Sequence, residues 1–195
     1  MTPKEIVKKI KTACPHIKSV YFVGCGASKS ELYPAKYFLD ANAKELRTGH
    51  YTANEFVYAT PAAVGPDSIV VTCSLGGTTP ETVAASKKAM ELGAQVVAVT
   101  HDGDSPLAHA ANYVIVHGFE KNYAAKLEKM TNVLELAVEI LNEYEGYANY
   151  EDMQTGFEKI YDLIEQAVSF VLPTAKAFAE SYKDAPVIYV MSSGA

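Results

Sequence analysis

Positive charge is in short supply in this chain. Seventeen Lys and Arg face 23 Asp and Glu, leaving a formal charge of −6 and a pI near 5.4. That balance argues against nucleic acid and against an anionic membrane surface as partners, because both require a cationic face. Any anionic ligand must be held by local dipoles, since the overall field repels it. Cysteine is also sparse. Cys14, Cys25 and Cys73 are an odd number without metal-ligand spacing, which fits a reduced, cytoplasmic setting. The five histidines follow no metal pattern, so no metal is expected. No apolar run approaches membrane length and no signal peptide opens the chain, so no membrane association is expected.

What is present is a rich apolar content: 49% of 195 residues, enough for one well-buried domain with an appendage. Val20-Tyr21-Phe22-Val23, Ser68-Ile69-Val70-Val71, Gln95-Val96-Val97-Ala98-Val99-Thr100 and Tyr113-Val114-Ile115-Val116 are short apolar runs without alternation, separated by helical patterns. Such runs imply a parallel sheet covered on both faces, hence an α/β three-layer αβα sandwich. A weaker strand is expected at about 45 to 48. Thr2-Pro3-Lys4-Glu5 reads as a helix start with a capping box.

Beyond Gly118 the pattern changes. Tyr123, Leu127, Met130, Leu134, Ala137, Leu141 and Tyr144 form one helical seam, and Val133, Val138 and Ile140 add a second stripe. A helix apolar on two sides must be covered on two sides, by its own chain or by another subunit. A homodimer or higher homo-oligomer is therefore expected. A second long helix should run from Met153 to about Tyr182, perturbed at Pro173.

The most informative stretch is Thr72-Cys73-Ser74-Leu75-Gly76-Gly77-Thr78-Thr79-Pro80-Glu81-Thr82, between an apolar strand and a helical pattern. A strand entering a hydroxyl- and glycine-rich turn that opens a helix aims N–H groups and hydroxyls at one point, with the positive helix end behind them. A phosphate fits there. A simple N-cap with turn glycines also fits, but the density of hydroxyls exceeds what one cap needs.

This stretch resembles the phosphosugar-binding turn of the sugar isomerase (SIS) domain, Ser-x-Ser-Gly-x-Thr-x-Glu-Thr. Here it stands as Ser74-Leu75-Gly76-Gly77-Thr78-Thr79-Pro80-Glu81-Thr82, with Gly76 in place of the second serine, so that a backbone N–H or water must substitute for one hydroxyl. Gly24-Cys25-Gly26-Ala27-Ser28, Ala53-Asn54-Glu55-Phe56 and Ser105-Pro106-Leu107-Ala108 agree in order, and the resemblance spans roughly residues 18 to 126. It implies a flavodoxin-like topology, phosphate binding by Ser74, Gly76, Gly77 and Thr79, and sugar contacts from Cys25, Gly26, Ala27, Ser28, Glu120 and Ala125. A dinucleotide reading of the first glycine loop fails, because the third glycine is absent and no acidic residue clearly ends the next strand.

Within that family the chain is most similar to fructosamine-6-phosphate deglycases, through Tyr33-Pro34-Ala35-Lys36-Tyr37, Tyr51-Thr52-Ala53-Asn54-Glu55-Phe56 and Thr79-Pro80-Glu81-Thr82-Val83. These enzymes are related to the isomerase half of glucosamine-6-phosphate synthase. The resemblance implies cleavage of a ketosamine 6-phosphate to an aldose 6-phosphate and an amine, without metal or cofactor. It places the acid/base residues in a second SIS domain, so no catalytic residue is carried over. Ile188-Tyr189-Val190-Met191-Ser192-Ser193-Gly194-Ala195 aligns on Val20 to Ala27, as though the first strand and glycine turn began again. The expected organisation is a first SIS domain over 1–148, a helical connector over 149–185, and the opening of a second domain over 186–195. Alternatives are a single-domain phosphosugar isomerase using Glu55, Glu120, His101 or His117, and a non-catalytic phosphosugar sensor.

Overall fold

The computed structural model describes residues 1–118 and 123–190, the side chains of 123–127 excepted. Five parallel strands form one sheet: β1 (Ser19–Gly24), β2 (Arg47–Thr52), β3 (Ser68–Cys73), β4 (Gln95–Thr100) and β5 (Tyr113–Val116), in the order β2-β1-β3-β4-β5. The unbroken apolar runs have the expected cause, since every residue of β1 and β3 is buried. β2 lies at the edge with a single partner and is mostly half-buried, so its apolar signal is weak. It begins two residues later than its sequence suggests and runs on to Thr52.

Seven α-helices, α1 (Pro3–Ala13), α2 (Gly26–Ser30), α3 (Tyr33–Asn42), α4 (Ala53–Tyr58), α5 (Pro80–Glu91), α6 (Tyr123–Tyr144) and α7 (Tyr150–Tyr182), and one 3-10 turn at Ala108–Ala110 complete the described residues. The α1 capping box is present: Glu5 N–H donates to Thr2 Oγ1 at 3.3 Å and Thr2 N–H to Glu5 Oε2 at 2.9 Å. The segment after β1 is two helices rather than one, because Pro34 lacks a backbone donor and takes a place in the first turn of α3.

The strands present opposite faces in alternation. Val20, Phe22, Ile69, Val71, Val97 and Val99 join a cluster with α1, α3 and α6, while Tyr21, Val23, Val70 and Val96 join a second cluster with α4 and α5. The result is the three-layer αβα sandwich expected from the sequence.

Helix α6 buries Val133, Leu136, Ala137, Ile140 and Leu141 in the first cluster. Its other side is covered in part within the same chain, Met130 and Leu134 staying half-buried at an apolar cavity shared with α7. Glu139 is buried and accepts hydrogen bonds from Tyr150 Oη at 2.7 Å and Gln154 Nε2 at 3.0 Å, both on α7. The apolar surface without a cover lies chiefly on α7, which has no buried residue and exposes Leu163, Phe170, Val171, Phe178 and Tyr182. That helix continues through Pro173, and residues 187–190 after it carry no regular structure and are exposed.

One carboxylate joins the two ends of this architecture. Glu145, just past α6, accepts the backbone N–H groups of Lys44, Glu45 and Leu46 at 2.7, 3.0 and 2.7 Å, fixing the entry to β2. Partial burial pulls its pKa upward, but the three N–H donors outweigh it and hold the carboxyl below its ordinary value. The folded pKa is depressed, so its contribution is complete above the unfolded pKa near 4.3 and is lost as pH falls through the lower folded value. Glu145→Gln should therefore reduce stability at pH 7 by about 1 kcal/mol, water taking over part of the site. It should also flatten the acid limb below about pH 4, as followed by urea titrations at several pH values.

Candidate functional site

The sheet order reverses between β1 and β3, so the chain leaves these adjacent strands toward opposite faces and opens a crevice at their C-terminal ends. Gly24 and Cys73 are register partners at that edge, which brings the two glycine turns together. Side chains join them as well, the buried Thr82 of α5 meeting Cys25 Sγ at 3.7 Å.

The second turn, residues 74–79, is anchored through its carbonyls. Ser74 O accepts Gly77 N–H at 3.1 Å, and Gly77 O accepts Leu107 N–H at 3.0 Å. Leu75 O accepts both His101 N–H at 2.9 Å and Thr100 Oγ1 at 3.0 Å. Ser74 N–H is also bonded inside the protein, to Val99 O at 3.2 Å, so what the turn brings to the crevice is chiefly its hydroxyls. Thr79 occupies the N-cap position of α5 yet makes no side-chain cap; its hydroxyl is paired with Ser74 Oγ at 2.9 Å. A simple cap is thus not what the hydroxyls supply. Ser74 and Thr79 converge in front of a twelve-residue helix whose first turn has no side-chain cap.

The two adjacent glycines differ. Gly77 has φ +66°, and a Cβ there would lie 2.0 Å from Ser105 Oγ and 3.0 Å from Thr100 Oγ1. It is needed for both conformation and space. Gly76 has no positive φ, and a Cβ there would meet only Thr78 Oγ1 at 3.8 Å and His101 Nε2 at 4.0 Å. Conformation does not require its glycine.

The first turn carries Cys25 and Ser28 half-buried, with Gly26 and Ala27 exposed, the last three within the five-residue α2. His50 Nε2 on β2 lies 2.7 Å from Lys29 O and ties α2 to the sheet edge. These residues share the C-terminal edge with Ser74 and Thr79, so the structure brings six of the expected phosphate and sugar positions and Gly76 and Gly77 together. Glu120 lies outside the described residues, as does the side chain of Ala125. Met191 to Ala195, the end of the expected restart, lie outside them too.

The remaining candidates separate. Glu55 closes the capping box of α4, its Oε2 accepting Thr52 N–H and Oγ1, both at 2.8 Å, and those bonds keep its carboxyl below the ordinary range. It is a helix-capping residue. His117 is 4% exposed; burial lowers its pKa, outweighing the Gly118 carbonyl that its Nδ1 meets at 2.8 Å, and the Lys129 charge adds to the lowering. A neutral ring bonded to that carbonyl carries its proton on Nδ1, and its Nε2 meets no hydrogen-bond partner among the described residues. The His101 and His117 rings are in edge contact, centroids 6.5 Å apart. Burial pushes the Cys73 thiol up to about 12, so it is packing rather than a nucleophile.

Sequence reasoning missed the buried Lys129, ion-paired with Glu31 near the end of β3, because neither residue sits in a motif and only the packing of α6 across the sheet joins them. It also missed how Thr100 and Ser105 brace the turn, although Ser105 was visible within a recognisable segment. Gly77→Ala should lower the unfolding free energy by about 2–4 kcal/mol, from the left-handed penalty and the clash with Ser105. Gly76→Ala should change it by less than about 0.5 kcal/mol. Equilibrium unfolding in urea separates the two.

Comparison with known proteins agrees with this geometry. The SIS domain family matches residues 16–138. Fructosamine deglycase FrlB of Bacillus subtilis is 34% identical over 179 residues, covering 92% of this chain and 55% of that protein. A Salmonella typhimurium LT2 protein assigned as a phosphosugar isomerase superposes with a TM-score of 0.91 at 38% identity, covering 99% of this chain and 58% of that one. A glutamine–fructose-6-phosphate aminotransferase of Clostridium tetani is 26% identical over 155 residues, 77% of this chain and 25% of that protein. The chain thus spans just over half the length of the first two relatives. A strand-turn-helix that presents hydroxyls at the sheet's switch point, within a matched region of this extent, places the chain in the SIS domain family.

Proposed function

We propose that this chain is the phosphosugar-binding part of a deglycase that cleaves a fructosamine 6-phosphate to an aldose 6-phosphate and an amine. The observation that supports it most is the turn at 74–79, where Ser74 and Thr79 hydroxyls meet 2.9 Å apart ahead of a helix without a side-chain cap. Phosphate is held there by those hydroxyls and by the N–H group of Gly76, while Gly77, whose N–H bonds Ser74 O, shapes the turn around it. The sugar extends over the first turn, toward Cys25, Gly26, Ala27 and Ser28, with Glu120 and Ala125 completing the pocket near the start of α6.

The reaction moves protons between sugar C1 and C2, which requires an acid and a base within about 3 Å of those carbons. Phosphate binding at a distance holds the reacting atoms in place and supplies the orientation term. The acid and base are assigned to the portion of the relatives that this chain does not span, in keeping with a second SIS domain after a connector over 149–185. Among the described residues no buried carboxylate stands at the crevice, and the half-buried Glu31 is paired with Lys129. The single-domain isomerase remains the second reading, favoured by the open Nε2 of His117 beside His101.

The binding step is tested by calorimetric titration with glucose 6-phosphate. Ser74→Ala and Thr79→Val should each weaken affinity roughly ten- to hundredfold, the worth of a hydrogen bond to a charged acceptor. Unchanged affinity in both would remove the phosphate site. Amine release from a fructosamine 6-phosphate and isomerisation of fructose 6-phosphate should both stay at background for this chain alone; clear amine release would overturn the assignment of the acid and base elsewhere, and clear isomerisation would promote the single-domain isomerase reading.

The exposed apolar residues of α7 are assigned to a contact with a second copy or a second domain in a cytoplasmic homo-oligomer. Sedimentation should show a species larger than the 21.1 kDa chain. Phe170→Glu with Phe178→Glu should shift it toward monomer, and a wild-type chain that stays monomeric at high concentration would count against the contact.

A further inference from the structure

We propose that α7 seats a second copy of this chain: two α7 helices pair antiparallel about a two-fold axis at Ala167, and the outer half of each lies over the apolar cavity between α6 and α7 of the other. This gives a seat to the α7 contact assigned above, chooses a second copy as its occupant, and does not depend on what the crevice binds.

The cavity is the receiving half. About 450 Å³ opens between Met130 and Leu134 of α6, Gly156, Ile160 and Leu163 of α7, and Pro34 of α3. Gly156 is exposed in the interior of a long helix, and a Cβ there would meet nothing within 4 Å. Glycine disfavours a helix interior, and no neighbour in this chain crowds the position. The room that it leaves is open to a side chain from outside.

The half that fits it lies further along the same helix. α6 has 22 residues and α7 has 33, lengths of about 33 and 50 Å. Half-buried positions on α7 end at Val168, and every residue from Ser169 to Tyr182 is exposed. At about 100° per residue, Gly156, Ile160, Leu163, Ala167, Val171 and Phe178 share one side of the helix. Glu151, Glu158, Asp162, Glu165, Lys176 and Glu180 fall on the opposite side. One uncharged face therefore runs the length of α7. Its first half borders the cavity, and its second half projects bare, with Val171 and Phe178 each 52% exposed.

A hollow and a ridge at the two ends of one face are self-complementary under a two-fold axis, the symmetry that closes as a dimer. With Ala167 on the axis, antiparallel pairing sets the partner's Phe178 over Gly156 and the partner's Val171 against Leu163. The small side chain at 167 lets the two helices approach where they cross. A parallel pair would set cavity against cavity and ridge against ridge, leaving both cavities empty.

Sedimentation equilibrium of the chain should give a dimer. Gly156→Glu places a good helix former at an open position but a charge on the covered face. It should raise the dissociation constant roughly tenfold or more, with the helix content by circular dichroism retained. Ala167→Cys should form an intermolecular disulfide on mild oxidation. Ser169→Cys, on the far side of the helix, should cross-link no more than the wild type with its own three cysteines. A dimer that Gly156→Glu leaves intact, or equal cross-linking at 167 and 169, would overturn this seat. If Phe170→Glu with Phe178→Glu still dissociated that dimer, the α7 contact itself would stand. A chain that stays monomeric would overturn both and leave the face to a further domain. Glucose 6-phosphate titrations read the crevice separately, so failure of the phosphosugar reading and failure of this pairing are distinguishable.

Discussion

The arrangement depends on where the turn at 74–79 sends its carbonyls. Ser74, Leu75 and Gly77 direct their oxygens to partners on the turn itself, on β4 and on the loop after it. Backbone acceptors satisfied inside the protein keep their negative ends away from the crevice, where the Ser74 and Thr79 hydroxyls meet ahead of α5. An acidic chain can then hold an anion without a basic patch, because the attraction comes from oriented dipoles at short range and the repulsion is spread over the surface. Gly77 is the residue that permits this inward direction. Its left-handed backbone and the contact of Ser105 against it close the turn onto the loop that carries Leu107.

The sheet supplies the second requirement, a place where two such turns meet. β1 and β3 are neighbours in space while their following helices lie on opposite faces, so Gly24 and Cys73 deliver both turns to one edge. The ring of His101 and the Lys129–Glu31 pair reach the same edge from β4 and α6. Burying an ion pair there has its cost offset only by close mutual contact, which makes it a feature of the closed layer and gives it no free charge for a ligand.

Covering of the sheet explains the unequal fates of the two long helices. α6 is apolar on two sides; the sheet covers one, and α7 covers the other in part, leaving Met130 and Leu134 half-buried at an apolar cavity between the two helices. α7 packs mainly on α6, with Lys4 of α1 over the Tyr150 ring, and Leu163, Phe170, Val171, Phe178 and Tyr182 remain exposed. The demand for a further apolar partner that the pattern of α6 suggests is shared with α7.

Short apolar runs, the capping box at Thr2 and Glu5, and the spacing along α6 determined the layers and the parallel sheet, since burial on both faces leaves a local record in residue type. The hydroxyl-rich turn was legible for the same reason: Ser74, Gly77 and Thr79 act within six residues of one another. The exact place of β2 was not legible, because an edge strand with one partner needs little apolar character. Nor was the capping role of Glu55 separated from a catalytic one, both being an exposed glutamate at a strand end until its bonds to Thr52 are seen. Only the tertiary structure set His101 beside Gly76, His117 against His101, and Lys129 on Glu31. These contacts join residues far apart in the chain, and their geometry follows from strand order and helix packing, which no local pattern encodes.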